Sequence, residues 1–533
     1  MPASLTAADL AIVRRAQVCL EQGTLSDAQA MLMQVSPAVV SHPDVLFIAA
    51  GILAGQGQFA QARRALEGAL QQAPQNVPLW HAYASLLQDM GDPGAASDAW
   101  RRLLTFQPDD RAARHNLANA LRQSQRGQEA LAEVDGLIAR GGALPETALL
   151  RGHLLSDLGH LEAAVTQYRQ VAAREPERVE AHQMLARLLP QTGLADAALD
   201  SFAIALAARP QDQALHDAAI VAARDLKDAV RLMAWANEAQ TRFGANPLYA
   251  LAAAQGQNMA GNRGAAISAM RQLAGDYPDL AGIRNHLAPL LIASGDYAEA
   301  EQHALAATLL APLDQSGWAW LSIAWRLMGD AREYWLADYE RLVMPITLPD
   351  AVFTPALTGA LEALHVTSNH PAEQSLRGGT QTNGNLFDRP IPEIQALRQA
   401  IEAAITERLA VLTPDPTHPF LSRLHSGIAF QGSWSVRLSS SGFHINHIHH
   451  QGWLSSACYI ALPPFEGDAG ALAFGVPDST LGLDLSPRRI VRPRAGQLVI
   501  FPSYFWHGTI PFESEAPRLT VAFDALPFGP NQR

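Results

Sequence analysis

The stretch Pro43 to Asn76, PDVLFIAAGILAGQGQFAQARRALEGALQQAPQN, decides how the first two thirds of the chain is read. It places a small residue at Ala50, glycine at Gly57, alanine at Ala62 and a closing proline at Pro74. Shifted by 34 residues, the pattern returns without gaps from near residue 9 to residue 348. Glycine stands at Gly23, Gly57, Gly91, Gly159, Gly193, Gly261, Gly295 and Gly329, and fails only at Gln125 and Lys227. Alanine follows from Ala28 to Ala300 in the same phase, with Leu232 and Tyr334 as exceptions, and Ile220 alone breaks the run of small residues. The physical reading is a helix, a tight turn at the glycine, a second helix, and a proline that stops it. Small residues allow close helix crossings, while Trp80, Trp100, Tyr168 and Phe202 fill the space between units. About ten such units make an α-solenoid.

This pattern of length, glycine, alanine and proline resembles the tetratricopeptide repeat. The resemblance implies a concave groove that binds a protein or peptide partner; a spacer or an oligomerisation surface is the alternative. The sequence Gly55-Gln-Gly57-Gln-Phe-Ala60 imitates a dinucleotide fingerprint, but Gly57 is explained by the repeat phase and no strand precedes it.

Of 533 residues, 48% are hydrophobic and 17% charged, which is the balance of a folded chain. Basic residues number 39 against 51 acidic, a net charge of −12, so neither nucleic acid nor an anionic membrane is an expected partner. The start, MPASLTAADLAIVRRAQ, has no apolar export signal, and no run of about eighteen apolar residues occurs. Two cysteines, Cys19 and Cys458, without a CxxC, fit a reducing, cytoplasmic setting. Lys227 is the only lysine, in a helical stretch without a glycine-rich loop, which excludes P-loop and pyridoxal chemistry.

After residue 345 the phase is lost, and Pro345, Pro349 and Pro355 mark a boundary. The stretch 374–385 is polar and glycine-rich and is expected to be a loop. A helix follows from Pro392, with Ile394, Leu397, Ile401, Ile405 and Leu409 on one face. Strands are expected at 428–438, 444–448, 453–462, 471–474, 489–491, 497–501 and 518–523. The expected organisation is a repeat solenoid over 9–348, a linker with loop and helix over 349–425, and a β domain over 426–533. Many short strands in so short a span suggest a sandwich or barrel of the jelly-roll kind.

Four histidines fall within seven residues, at His444, His447, His449 and His450. On a strand, His447 and His449 share a face and can converge on one metal ion. His507, just past the strand 497–501, is the best third ligand. Arg518, Thr520 and Ala522 share a face of the last strand. His444 and His450 are expected behind the ligands or at the surface. Arg518 has the alternative of pairing with Glu513 or Glu515. Cys458 is expected as a buried strand residue, and repeat histidines such as His81 and His286 as packing or surface residues.

The segments HIHHQGWLSSACYIALP, GDAGALAF and AGQLVIFPSYFWHGTIPFESEAPRLTVAF resemble the 2-oxoglutarate-Fe(II) oxygenases, relatives of the prolyl-hydroxylase-like double-stranded β-helix enzymes. The resemblance covers roughly residues 365–530. It implies Fe(II) on His447, His449 and His507, with 2-oxoglutarate as cosubstrate and Arg518 as its carboxylate anchor. Asn446, Ser455, Tyr459 and Thr520 would add contacts, with Trp434 and Trp453 as walls. A histidine, His449, stands where the wider superfamily has a carboxylate, so the ligand set is neutral and zinc or nickel would also suit it. Three ligands leave positions for a chelating keto acid and oxygen, and an arginine fork matches a carboxylate. The leading expectation is a dioxygenase whose repeats recruit a protein or peptide; the alternative is a non-catalytic metal-binding β domain on an interaction scaffold. A glycosyltransferase would need more than the 185 or so residues left after 348, and no GxSxG elbow supports a hydrolase.

Overall fold

A computed structural model describes residues 4–365, 376–382, 384–424, 427–464 and 466–528. The helix Pro43–Gly55 hands over to Phe59–Gln72 at Gly57, and Val77–Asp89 to Pro93–Phe106 at Gly91. Such a reversal needs left-handed backbone, which glycine adopts without a Cβ clash. All eight slot glycines have φ between +69° and +87°. The two exceptions obey the same geometry, Gln125 at +61° and Lys227 at +58°. The alanines of the phase, Ala28 through Ala300, are at most 1% exposed, so they lie where helix backbones approach each other. At Gly152 even a Cβ would come within 2.7 Å of the Tyr168 ring.

The chain divides into two compact units, Met1–Val171 and Ala172–Arg533. The first is helical repeats. The second continues them through Gln315–Met328 and Arg332–Leu336 and then forms nine strands among the described residues. These are β1 Met344–Thr347, β2 Leu376–Gln381, β3 Gly427–His444, β4 Leu454–Ala461, β5 Leu472–Phe474, β6 Arg489–Val491, β7 Gln497–Pro502, β8 His507–Thr509 and β9 Arg518–Phe528. A six-stranded antiparallel sheet runs β1-β7-β4-β9-β3-β2, and a three-stranded one β6-β5-β8. This is the two-sheet jelly-roll arrangement. The helix Pro392–Ala410 buries Ile394, Leu397, Ile401, Ile405 and Leu409.

Three local expectations are corrected. The glycine-rich stretch 374–385 is not all loop, because β2 pairs with β3 across it. Gln374, Ser375 and Asn383 of that stretch lie outside the described residues. Its glycines serve an irregularity in the pairing: Gly378 has φ +66°, and a Cβ on Gly379 would stand 2.5 Å from the Arg437 carbonyl oxygen. Pro345, read as a boundary, lies inside edge strand β1 opposite Val499, where a missing N–H is tolerated. The strand expected at 444–448 ends at His444 and leaves only a bridge between His447 and His507.

One hydrophobic core runs from Leu251 in the repeats to Ala525 in β9. Trp320 packs on Trp506 with ring centres 4.8 Å apart. The Tyr504 hydroxyl donates to the Leu336 carbonyl at 2.7 Å, and Arg326 donates to the carbonyls of Gly475 and Ser486 at 2.6 Å each. Arg488 grips buried Glu333 through two bonds of 2.8 and 2.6 Å. The expected division at residue 348 falls after β1, so one strand of the sheet lies on its repeat side and a single core spans it. Cys458 is buried in β4, and burial pushes its thiol up to about 12. His81 binds Asp110 at 2.8 Å, while His286 is an exposed helix residue. Among the described residues no helix is long and apolar enough to cross a membrane.

Candidate metal centre

The backbone between β3 and β4 is pinned to the turn before β8. His447 and His507 exchange N–H···O bonds of 2.9 and 3.0 Å, and the His449 N–H reaches the Ser503 carbonyl at 3.0 Å. Gly508 permits this approach, since a Cβ there would run into the Asn446 side chain and come within 3.0 Å of the His444 carbonyl oxygen. The ring centres of His447 and His507 are then 4.3 Å apart, and His449 stands 5.1 and 5.2 Å from them. One nitrogen from each ring lies within 4.8 Å of those of the other two.

The hydrogen bonds decide which nitrogens are available. Nδ1 of His447 faces the Ile445 carbonyl at 2.7 Å, and Nδ1 of His507 the Phe505 carbonyl at 2.9 Å. Nδ1 of His449 meets the Asp524 carboxylate at 2.6 Å. An Nδ1–H donated to an acceptor leaves Nε2 as the nitrogen with a lone pair, which is how metal-binding histidines are commonly held. Burial, reinforced by His449, lowers His447 to about 3, and burial with the neighbouring rings takes His507 well below its ordinary value. Both rings are therefore neutral, the form a metal ion binds. Burial opposes charge on His449, but Asp524 outweighs it and raises its pKa. Burial would raise Asp524, yet His449 and the Ser455 hydroxyl bond hold it below its ordinary value.

A cavity of about 540 Å³ opens over these rings. Arg518, Thr520 and Ala522 of β9 line it, as do Trp434, His444 and His450. Arg518 is 3% exposed, and its guanidinium lies 5.1 Å above the Tyr459 ring. Its Nε and Nη1 have no acceptor among the described residues, while Glu513 and Glu515 are exposed. A buried cation with idle donors is costly unless an anion joins it, so the site suits a bound carboxylate. The His cluster and this arginine together fit a metal ion with a chelating acid.

Other expected residues fall elsewhere. The Ser455 hydroxyl is spent on Asp524 and Ser503, at 2.7 and 2.8 Å, behind His449. The Asn446 amide donates to the Pro477 carbonyl at 3.3 Å, away from the cavity lining. Tyr459 lies beneath Arg518 rather than on the wall. Trp434 stacks over His449 with ring planes 9° apart, whereas Trp453 stacks on Phe420 in the core. His444 stacks on His447, and the Nδ1 of His450 binds the Ser316 hydroxyl at 2.7 Å. Asp524 was missed by sequence reasoning, although the alternation Arg518, Thr520, Ala522 reaches it two residues on. The cavity residues Arg224, Asp225 and Lys227 carry no sequence signal that places them beside a histidine cluster.

Fold and site define a class: tetratricopeptide repeats followed by a jelly-roll domain of the 2-oxoglutarate-Fe(II) oxygenase type. Residues 432–524 match the family model described as "Putative 2OG-Fe(II) oxygenase", and residues 53–113 and 149–213 match two tetratricopeptide repeat models. Among curated proteins, the "Cellulose synthase operon protein C" of Xanthomonas axonopodis pv. citri is 33% identical over 176 residues. That match takes in 31% of this chain and 12% of the relative's length. Similar solved structures include a MamA protein, at 20% identity and TM-score 0.30, covering 32% of this chain and 93% of that one. A tetratricopeptide repeat protein from Parabacteroides merdae matches at 16% identity and TM-score 0.33, over 46% and 98% of the two chains.

Proposed function

We propose that the chain is an Fe(II)- and 2-oxoglutarate-dependent dioxygenase that hydroxylates a protein or peptide recruited by its repeats, in the cytoplasm. The observation that carries this reading is the pairing of three imidazoles, each with Nδ1 engaged, with a buried arginine whose Nε and Nη1 lack acceptors among the described residues. His447, His449 and His507 would hold the iron, and Arg518, beside Thr520, the far carboxylate of the keto acid. When bound, the pair supplies oxidative decarboxylation of 2-oxoglutarate by O2 to succinate and CO2, with the second oxygen atom entering a substrate C–H bond as hydroxyl. Asp524 restores near the metal the negative charge that the ligand set lacks, and orients His449. Trp434 lies parallel to the His449 ring, with centres 6.0 Å apart, and lines the cavity beside it.

A metal-binding domain without turnover is the second reading, favoured by the neutral three-histidine set, which zinc also suits. Succinate formation from 2-oxoglutarate under air separates the two. Iron-dependent succinate, abolished by exchanging Fe(II) for Zn(II), is the expected result. Equal absence of succinate with either metal, in protein that retains the metal, would remove the oxygenase reading.

A further inference from the structure

The mouth of the same cavity carries charge that the metal chemistry leaves unused. One wall comes from the repeats: Arg224, Asp225 and Lys227, at the turn between Gln213–Asp225 and Ala229–Phe243, line the cavity with the histidines and Arg518. Lys227 is the only lysine of the chain. It occupies a glycine slot at φ +58°, a conformation that strains any side chain and costs glycine nothing. Arg224 meets Asp225 at 3.0 Å, but the two side chains are 41% and 44% exposed, so the pair is weak and easily exchanged for a better anion. The lining holds Arg224, Lys227, Arg377 and Arg518 against Asp225, in a chain whose net charge is −12.

We infer that Lys227 and Arg224 select a substrate bearing carboxylates, an acidic segment of peptide or protein, gripped at the mouth while its target residue reaches the histidine centre. The inference rests on the oxygenase reading of this cavity. Lys227 is exposed and Arg224 half-buried on a repeat turn, which suits a chain segment passing over the opening. A free dicarboxylic acid shares the chemistry and is separated by the experiment.

The probe is a fluorescein-labelled oligoglutamate peptide, titrated with the full-length protein and followed by anisotropy. Saturable binding is expected, with oligolysine inactive and affinity falling as salt rises. Lys227→Gly, which restores the residue usual at this slot, and Arg224→Gln are each expected to weaken binding about three- to fivefold, and Lys227→Arg to preserve it. Free glutamate at the same residue concentration should leave the peptide bound; full displacement would overturn the peptide in favour of a small acid. Equal binding by wild type and both weakened variants, or equal binding of oligolysine, would overturn the inference. Lysine-dependent binding by a wild type that forms no succinate discards the oxygenase reading alone. Succinate formation with lysine-independent binding discards the recognition alone.

Discussion

In the first compact unit, hydrophobic clusters are made by neighbours: Val13 with Ile52, Ala50 with Leu86, Ala84 with Leu154. The second unit holds one more cluster of that kind, from Ala186 to Ala252, and beside it a larger core that joins Leu251, Trp325 and Leu336 of the repeats to Phe501, Tyr504 and Ala525 of the sheets. The same 34-residue grammar therefore ends in two kinds of structure. Early repeats form a chain of nearest-neighbour interfaces, whose perturbations stay local. The last repeats are one side of the β domain and touch the edge of the histidine-lined cavity, since the Gln315 N–H and Ser316 hydroxyl both bind His450.

The largest test of that contrast is truncation. A fragment of residues 341–533 loses Leu321, Trp325 and Leu336 from its core and is expected not to fold. A fragment starting at residue 143 keeps them and is expected to melt cooperatively by circular dichroism. Cooperative folding of the short fragment would break the comparison. Next in size is Asp524→Asn, which leaves His449 without its carboxylate partner. Metal affinity, measured by chelator competition, should fall about 10- to 100-fold with the fold intact.

Ion pairs sharpen the contrast further. Glu333 is 4% exposed and doubly bonded to Arg488, so Glu333→Gln should cost about 2–4 kcal/mol, discounted because Arg488 is partly exposed. Glu129 pairs with Arg101 at 2.6 Å and Arg126 at 2.7 Å on the exposed surface, where solvent screens the charges, so Glu129→Gln should leave the urea midpoint nearly unchanged. Urea unfolding reads both, and similar costs would erase the difference. The smallest effect is a gain: Gln125→Gly relieves a left-handed residue and should stabilise by about 1 kcal/mol, read as a shifted urea midpoint.

Legibility follows the same line. Gly57, Ala62 and Pro74 could be read from sequence because their roles are set within one repeat length. Lys227, expected in a helical stretch, instead lies at a turn, where its backbone and that of Gln125 follow the slot glycines. The family resemblance and the HxH spacing brought His447, His449 and His507 together in the reading, and the structure groups them, although His447 and His449 lie past the end of β3 rather than on a strand. What stayed hidden depends on distant contacts. Leu376–Gln381 lacks an apolar run because its glycines fit close against β3, so composition imitates a loop. Ser455 and Asn446 were expected to add contacts at the site; the Ser455 hydroxyl bonds Asp524, and Asn446, between β3 and β4, donates to the Pro477 carbonyl. Lys227 stands 220 residues before the histidines in the chain, and only packing brings it to their cavity.

The central claim is that three histidines and Arg518 hold iron and 2-oxoglutarate at one place. Anaerobic addition of Fe(II) and then 2-oxoglutarate to the full-length protein tests it through the visible metal-to-ligand charge-transfer band. The band should form with wild type, vanish with His507→Ala, and need far more keto acid with Arg518→Ala. Absence of the band in folded, iron-loaded wild type, or an unchanged band in His507→Ala, would contradict it.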